Sequence, residues 1–566
     1  MKNRNVKQWA FFSAVLVSLT ISACKKNKTE PSPTTPPVTT ESNLKQTPTT
    51  NRLELSNDSL FLYAKEIYFW NESLPTYDAY EPRKYTGLSG TATESATLVN
   101  LENNLFNLVR TAGKADYIAG ASSPKYSYIQ DLTTANPTPI AASPNDQSSV
   151  DLEGNGNDIG IYRVSAVGQR TIPSAPVTSY RLYISAVSEN GPAFKQGLTR
   201  GAYITHINGI PVGSIETNAS GSFIAASEID LINGTIYGNP SSIKLNGVKT
   251  DGNSFDVTLA KTSYKSSPIY KSSVLTAGAK KIGYLAYARF SNESNSVNAL
   301  NAVFDDFVAK GVTDLVIDLR YNGGGYVSTA EHLTNLIAPT TATGVMYIEH
   351  FNNTLKNRKT SDPSILKNQP LLDANDKLRY NSSGGIITYA DIDYSVANNT
   401  NNFAKKGSLG GVTNVVFIVS GGTASASELV INNLKPKMKV TLVGKTTYGK
   451  PIGFFPIKLE NRYDVYMSLF ETKNSAGQGE YYNGMVPEID GGTDLGNYDF
   501  GNPLDQYLSQ AIGVLAPGVN ATAVASSGKL SSASGVKVNQ VKINANFDEA
   551  GRDFVGMIET RHTVKK

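Results

Sequence analysis

Cysteine is almost absent from this sequence, since Cys24 is the only one among 566 residues. A lone cysteine excludes an internal disulfide and leaves the chain beyond residue 24 without a cysteine nucleophile. An excess of one charge is also lacking, because the formal net charge is only +4 and no dense Lys/Arg run occurs. The composition therefore gives no support for a nucleic-acid partner. The length exceeds what one core accommodates and indicates several domains.

The N-terminus has the pattern of an export signal. Lys2, Arg4 and Lys7 precede an apolar run over residues 9–23, which is too short to span a bilayer. Residues 21–24 read Ile-Ser-Ala-Cys and resemble a bacterial lipobox. The resemblance implies a signal peptide (1–23), lipidation of Cys24 and a membrane-anchored lipoprotein of the bacterial envelope, periplasmic or at the surface. The alternative is a plain signal peptide with a chance cysteine.

A tether and a helical region follow. Residues 24–51 are rich in Pro, Thr, Lys and Asn, which predicts a disordered tether. Residues 52–122 contain apolar residues at helical spacing and predict a small helical region, with helices over Ser59–Trp70 and about Ala96–Leu108.

Residues 154–265 form the next predicted domain, which is rich in β-strands. A strand over Arg181–Val187 is followed by a short helix and by a hairpin with Asn208-Gly209 at its turn. This order resembles a PDZ domain. The resemblance implies that Ile159, Gly160 and Ile161 form the loop whose backbone amides bind the carboxylate of a peptide, while the peptide adds a strand. A PDZ-like fold without a ligand is the alternative.

Residues 266–515 alternate strands and helices, which predicts an α/β core with parallel pairing. Within it, residues 344–411 are polar and predict an insertion with short strands at the rim of a site. Tyr463–Phe470 alternates in hydropathy and predicts one strand. Residues 516–566 are a C-terminal extension to which the sequence assigns no role.

The stretch 421–428, Gly-Gly-Thr-Ala-Ser-Ala-Ser-Glu, lies between an apolar strand and a helix. Such a turn can expose a hydroxyl beside free backbone amides, so Ser425 is a candidate nucleophile. The same letters also fit a capping box, in which Ser425 and Glu428 only terminate the helix. The local pattern alone favours the capping interpretation.

Two further features could complete acyl-transfer chemistry. Glycines 323–325 end a second apolar strand and could, like the Ala426 amide, bind an oxyanion through bare backbone. Lys450 is flanked by Ile452, Phe454 and Phe455, and burial of this kind favours a neutral lysine base. A Ser-His pair using His332 or His350 is possible, although neither histidine lies in a motif of its own.

Three motifs occur in order after the PDZ-like unit: Asp318–Gly325, Thr423–Glu428 and Tyr448–Lys450. Together, over about residues 59–515, they resemble the carboxyl-terminal processing proteases, which are serine peptidases with a Ser-Lys pair. The resemblance implies a multidomain α/β protein with a crotonase-like protease core. It also implies that Ser425, rather than Ser427, is the nucleophile and that Lys450 is the general base.

The same resemblance implies an oxyanion hole from the amides of Ala426 and Gly324, and cleavage of exported polypeptides near their C-termini without metal or cofactor. Many family members have a glutamine four residues after the lysine, where this chain has Phe454. The rival interpretation is a catalytically silent surface lipoprotein that binds peptides or glycans.

Overall fold

The computed structural model describes residues 47–91, 94–132, 150–170, 172, 174–218, 221–372, 377–527, 539–543, 545, 547 and 556–558. The predicted signal peptide, Cys24 and most of the predicted tether lie outside these residues. Within the described ranges, no helix combines the length and the apolarity that crossing a bilayer requires.

The first part of the described chain is helical, as predicted, but its boundaries differ. Its elements are α1 Arg52–Ile67, α2 Tyr77–Tyr80, α3 Ala96–Ala112 and a strand, β1 Tyr128–Asp131. Helix α1 begins seven residues before the predicted start, because the Asn51 side chain accepts hydrogen bonds from the amides of Leu53 and Glu54. The region also continues to β1, which pairs with a strand of the core.

The second part has a β-rich fold with its own hydrophobic core. Its elements are β2 Asn155–Asp158, β3 Ile161–Arg170, β4 Ser179–Val187, α4 Pro192–Lys195, β5 Tyr203–Ile207, β6 Ile210–Pro211, β7 Glu216–Asn218, β8 Gly221–Phe223, α5 Ala226–Ile232, β9 Ser242–Val248, β10 Ser254–Ala260 and β11 Thr262–Lys265. Helix α5 continues as a π-helical turn over Asn233–Tyr237. The buried apolar residues of this cluster run from Ile159 to Leu259, within the predicted domain.

The third part is an α/β core. Its elements are β12 Ile269–Ala277, β13 Lys280–Tyr287, α6 Glu293–Ala309, β14 Asp314–Asp318, β15 Gly324–Tyr326, α7 Val327–Ile337, β16 Val345–Phe351, α8 Asn353–Lys356, β17 Thr400–Asn402, β18 Asn414–Val419, α9 Ala426–Leu434, β19 Lys439–Gly444, β20 Ile452–Gly453, β21 Ile457–Leu459, β22 Tyr463–Tyr466, β23 Phe470–Asn474, β24 Ile489–Asp490 and α10 Gln506–Leu515. Helix α11 Ala521–Ser527 and two strands, β25 Asn539–Lys542 and β26 Gly556–Ile558, follow it.

The central sheet of the core has the strand order β12-β13-β14-β18-β19-β24. Every pair from β13 onward is parallel, which confirms the predicted parallel pairing, and only β12 is antiparallel to its neighbour. Strands β14 and β18 are buried along almost their whole length, as parallel strands covered on both faces must be. The sequence shows this burial as apolar runs without alternation.

The predicted strand Tyr463–Phe470 is wrong as one element, because it divides into β22 and β23. At the break, the Ser468 amide donates to Ser127 Oγ, and the Ser468 carbonyl accepts from the Phe69 amide. Backbone groups that bind the N-terminal region cannot continue a ladder. The interruption therefore comes from a part of the chain that no local pattern reveals.

The predicted insertion (344–411) packs onto the core through both strands and side chains. Strand β16 pairs with β23 in a sheet that also contains β17 and β20. Tyr389 stacks on Phe455, with ring centroids 4.4 Å apart. The insertion thus supports the segment that follows Lys450.

A buried ionic cluster joins the β-rich part to the core. Arg200 donates to Asp494 and Asp505, and Arg320 donates to the same two carboxylates and to Asp318. Burial alone would raise the pKa of Asp505, but the two guanidinium groups more than offset it and hold that pKa below its ordinary value. Both arginine side chains are almost fully buried, so the pairs are shielded from solvent.

Replacing Arg200 by leucine should destabilise the protein, because it leaves Asp494 and Asp505 buried with one cation fewer. We expect a loss of about 3–5 kcal/mol in the free energy of unfolding, measured by urea denaturation. Lys445→Leu is the matched control, since it removes a cation from an exposed pair with Asp490 and should cost at most about 1 kcal/mol. Equal effects of the two substitutions would contradict this prediction.

Candidate active site

The predicted site residues follow three neighbouring parallel strands and therefore lie at one edge of the central sheet. Asp318 near the end of β14 is in register with Ile418 of β18, and Ile418 is in register with Val443 of β19. The glycine loop follows β14, the serine turn follows β18, and the Tyr-Gly-Lys turn follows β19. Because carboxyl ends of parallel strands meet at one edge, this is where a ligand is expected in an open α/β sheet.

Ser425 occupies a strained position at the start of α9. Its φ and ψ are 56° and −108°, a region that residues with a side chain rarely adopt. The side chain is fully buried, and its Oγ has no hydrogen-bond partner among the described residues. Ser425 and Glu428 have the arrangement of a capping box, in which the Glu428 side chain accepts from the Ser425 amide. The reciprocal hydrogen bond from the backbone to Ser425 Oγ is not formed, so this hydroxyl has no partner within the described part of the chain.

Ser427 and Asn322 tie the serine turn to the glycine loop. Ser427 Oγ donates to the Asn322 carbonyl at 2.9 Å, and the Ala424 amide donates to the same carbonyl at 3.2 Å. The Asn322 side chain in turn accepts from the Gly324 amide at 3.0 Å. Ser427 is therefore committed to a structural contact, whereas Ser425 is not.

The Glu428 carboxylate holds the serine and lysine segments together. Its Oε2 accepts from the amides of both Ser425 and Lys450 at 2.8 Å, and its Oε1 accepts from the Gly449 amide at 2.8 Å and from Thr447 Oγ1. Burial raises the pKa of Glu428, and these hydrogen bonds oppose that shift. One fully buried side chain thereby fixes the backbone on both sides of the site.

Lys450 is buried in a largely aromatic environment. Its Nζ lies 4.3 Å from the centroid of the Phe454 ring and 5.8 Å from that of Tyr126. Burial lowers the pKa of Lys450 to about 7, a shift that the neighbouring charges of Asp116 and Glu428 oppose and that of Lys125 assists. The ring of Phe454, at the position where glutamine was expected, thus faces the amine and contributes to its burial.

The N-terminal region supplies part of this environment. The buried Asp116 carboxylate accepts from the Tyr126 amide and from Ser468 Oγ. Tyr126 Oη donates to the Gly449 carbonyl at 2.7 Å, directly beside Lys450. Sequence reasoning missed Asp116 and Tyr126 because no motif surrounds them. Their proximity to Lys450 exists only after residues more than 300 positions apart have come together.

The two predicted oxyanion donors lie next to each other but differ in their present bonding. A methyl group on Gly324 would lie 3.1 Å from the Ala426 nitrogen, and the φ of Gly324 is +114°, so only glycine fits there. Ala426 is the first residue of α9, where an amide has no partner within the helix. The Gly324 amide is bound to Asn322 Oδ1, so it can serve only when that hydrogen bond opens.

The histidine alternative finds no support in the geometry. His332 lies on α7 with its Nε2 2.8 Å from Asn301 Oδ1 of α6, and His350 lies on β16, an inner strand of another sheet. Within the part of the chain that the structure describes, neither histidine is hydrogen-bonded to Ser425. Among the described residues there is also no group of three or more His, Cys, Asp or Glu side chains placed to hold a metal ion.

The predicted carboxylate loop lies where β3 begins. Ile159, Gly160 and Ile161 are buried, and Gly160 has a positive φ of 82°. The Gly160 amide donates to Asp158 Oδ1, which also accepts from Tyr264 Oη. The loop thus forms a tight turn of the kind that can bind a carboxylate through its backbone amides. The Gly160 amide, however, is already hydrogen-bonded to Asp158.

The strained serine turn and the turn that carries the buried Lys450 therefore lie at one edge of a parallel α/β sheet, and Glu428 joins their backbones. Residues 281–490 match the model of Peptidase family S41. The similarity to that family therefore covers this part of the chain, 210 of its 566 residues.

A curated relative and a solved structure are also similar to this chain. The chloroplastic C-terminal processing peptidase of Tetradesmus obliquus is 24% identical over 306 residues, which are 53% of this chain and 54% of the relative. The chain thus spans about half the length of the curated relative that it matches. A crystal structure from Bacteroides fragilis NCTC 9343, assigned to the S41 proteases, superposes with a TM-score of 0.52 at 19% identity, covering 81% of this chain and 96% of that one. The likeness establishes the multidomain α/β fold.

The environment of Lys450 makes a testable prediction about its titration. We expect a midpoint near pH 7 by NMR of lysine labelled with ¹⁵N at Nζ, assigned with Lys450→Ala. Phe454→Gln should move the midpoint to higher pH, because a polar amide stabilises the ammonium form better than the ring does. Phe454→Leu keeps the apolar contact and should leave the midpoint near 7. A midpoint that is the same in the Gln and Leu variants would contradict this account.

Proposed function

We propose that this protein is a serine endopeptidase in which Ser425 is the nucleophile and Lys450 is the general base. The observation that supports the proposal is that the buried Glu428 carboxylate binds the backbone amides of both residues. The unbonded Ser425 hydroxyl and the lowered pKa of Lys450 are consistent with it. A general base works best when its pKa lies near the working pH. At neutral pH about half of Lys450 is neutral and able to accept a proton.

The reaction follows from these groups. Neutral Lys450 takes the proton of Ser425 Oγ as that oxygen attacks the scissile carbonyl carbon, which gives a tetrahedral oxyanion and an ammonium. The ammonium then protonates the leaving amine as the C–N bond breaks. Water attacks the resulting ester with its proton passing to Lys450, and the acid product leaves with Ser425 restored.

The Ala426 amide is the first donor to the developing oxyanion. Each well-placed backbone donor contributes roughly 3–4 kcal/mol of transition-state stabilisation. The Gly324 amide becomes a second donor once the Asn322 side chain releases it. Asn322 thus acts as a positioning residue that holds the glycine loop against the serine turn.

The β-rich part suits recruitment of a polypeptide C-terminus. The edge of β3, which follows the Ile159–Ile161 loop, is the edge at which an extended peptide adds a strand. Arg200 couples this part to the core through buried charges, so a peptide bound there would be held at a fixed geometry relative to Ser425. We therefore propose cleavage of polypeptides near their C-termini.

We further propose that the protein is exported and anchored to a membrane of the bacterial envelope by a lipid on Cys24. The support is the Ile-Ser-Ala-Cys sequence at residues 21–24 after a basic and apolar leader. Metabolic labelling with an alkynyl fatty acid should label the wild-type protein and not Cys24→Ser. Equal labelling of the two would show that this cysteine is not the lipid site.

Ser425→Ala and Lys450→Ala should each lower kcat/KM on an unfolded protein substrate by roughly 10⁴-fold or more, because each removes a group without which the acyl-enzyme cannot form. Lys445→Ala, in the same turn region but on the surface, should retain activity. Circular dichroism establishes that the variants are folded.

A purified Ser425→Ala protein that still cleaves the substrate would refute the assignment of the nucleophile. Activity lost on His332→Ala or His350→Ala but kept on Lys450→Ala would instead indicate a Ser-His enzyme. Absence of cleavage by the wild-type protein, together with no fluorophosphonate labelling of Ser425, would favour the silent binding protein.

A further inference from the structure

The C-terminal extension contributes two short strands, β25 and β26, and each lies at a place where a substrate would bind. The sequence assigned this extension no role. Its described residues after α11 are 539–543, 545, 547 and 556–558. Their pairing partners are the strand after the predicted carboxylate loop and the strand of the glycine loop.

Strand β25 lies along the open edge of β3. It pairs antiparallel, with Gln540 opposite Gln169, and the Ile543 amide continues the ladder by donating to the Ala166 carbonyl at 3.0 Å. The sheet order ends with β4-β3-β25, so β25 fills the edge that an added peptide strand would use. Because the pairing is antiparallel, the chain from 539 to 543 runs toward the predicted carboxylate loop.

Apolar side chains fasten this segment in the groove beside β3. Ile543, Ala545 and Phe547 pack against the hydrophobic cluster of the β-rich part. The Phe547 ring lies 6.3 Å from the ring of Tyr237, in the helical turn that follows α5. The segment therefore lies between a strand and a helix, as a peptide does in a PDZ groove.

Strand β26 lies at the catalytic centre itself. It pairs parallel with β15, with Gly556 opposite Gly324, and the Gly556 amide donates to the Gly323 carbonyl at 3.1 Å. On its other side the Phe454 amide donates to the Met557 carbonyl at 3.4 Å. Strand β26 is thus placed between the glycine loop and the segment that follows Lys450.

The fit of β26 is close, and the segment is buried. A methyl group on Gly324 would lie 2.3 Å from the Gly556 carbonyl oxygen and 3.1 Å from the Ala426 nitrogen. The carbonyl of Gly556 therefore lies against the backbone of Gly324, whose amide is one of the two proposed oxyanion donors. Met557 and Ile558 are at most 2% exposed, which shows that their side chains fill apolar pockets.

We propose that the C-terminal extension is an intramolecular inhibitor that occupies the peptide groove with β25 and the catalytic cleft with β26. This proposal rests on the proposed peptidase function. An external polypeptide has to displace both strands, and since the extension is tethered, it competes at a high effective concentration. The enzyme is then active only in the fraction of molecules whose extension has left.

Met557→Asp in the full-length chain tests the catalytic half of this proposal. A carboxylate in the buried Met557 position destabilises the docked strand, so kcat/KM on an unfolded substrate should rise by about tenfold or more. Leu378→Asp, in the insertion, where the side chain is 38% exposed, is the matched control and should leave kcat/KM unchanged. Unchanged or lower activity of a folded Met557→Asp protein would overturn the proposal.

A reversible disulfide between β25 and β3 tests whether β25 blocks the peptide groove. Gln540 and Gln169 lie three residues from the hydrogen-bonded pair of Ile543 and Ala166, which makes them a non-hydrogen-bonded pair at a spacing that a disulfide can bridge. In a Cys24→Ser background, Gln169→Cys with Gln540→Cys should be at least about tenfold less active when oxidised than when reduced. The Cys24→Ser parent should not respond to the reductant.

The outcomes distinguish a failure of the proposed inhibition from a failure of the proposed peptidase function. Equal activity of the oxidised and reduced proteins, with the disulfide verified by mass, would overturn inhibition by the extension while leaving the peptidase function intact. Active-enzyme preparations that shed residues beyond 547 while Ser425→Ala preparations keep them would identify the extension as a substrate and overturn its role as an inhibitor. No cleavage and no fluorophosphonate labelling in any variant would refute the peptidase function itself.

Discussion

The site depends on one buried carboxylate, that of Glu428. A carboxylate has two oxygens that accept several hydrogen bonds, and here they bind the backbone of Ser425, of Gly449 and of Lys450. Hydrogen bonds to an ionised group are among the strongest that proteins form. The helix cap and the proposed catalytic arrangement, which the sequence presents as competing interpretations, thus both involve Glu428.

Burial then determines the chemistry of the lysine. The ring of Phe454 and the segment from Asp116 to Tyr126 shield Lys450 from water, and the cost of desolvating an ammonium outweighs the attraction of the nearby carboxylates. An orienting glutamine would hold the amine through a hydrogen bond. Here an aromatic face is found instead, so burial lowers the pKa of the lysine while Glu428 holds its backbone.

The parallel core was predictable because buried parallel strands are continuous apolar runs. Ser425 and Lys450 were identified from the order of three motifs, and that assignment stays a prediction. The start of α1, the break at Ser468 and the surroundings of Lys450 were missed. Each of these depends on contacts between distant parts of the chain, which local periodicity does not record. The two C-terminal strands are too short for their pairing partners to be predicted.

The hydrogen bond from Tyr126 to the Gly449 carbonyl has a consequence for biosynthesis. It joins residues 323 positions apart, and β1 likewise pairs with β22 across the length of the core. Contacts of such long range form late, after the intervening chain has been made. A nascent chain that ends before residue 450 contains Ser425 but neither Lys450 nor the contacts that bury it, so the environment that lowers the pKa of this lysine forms only after most of the chain has been synthesised.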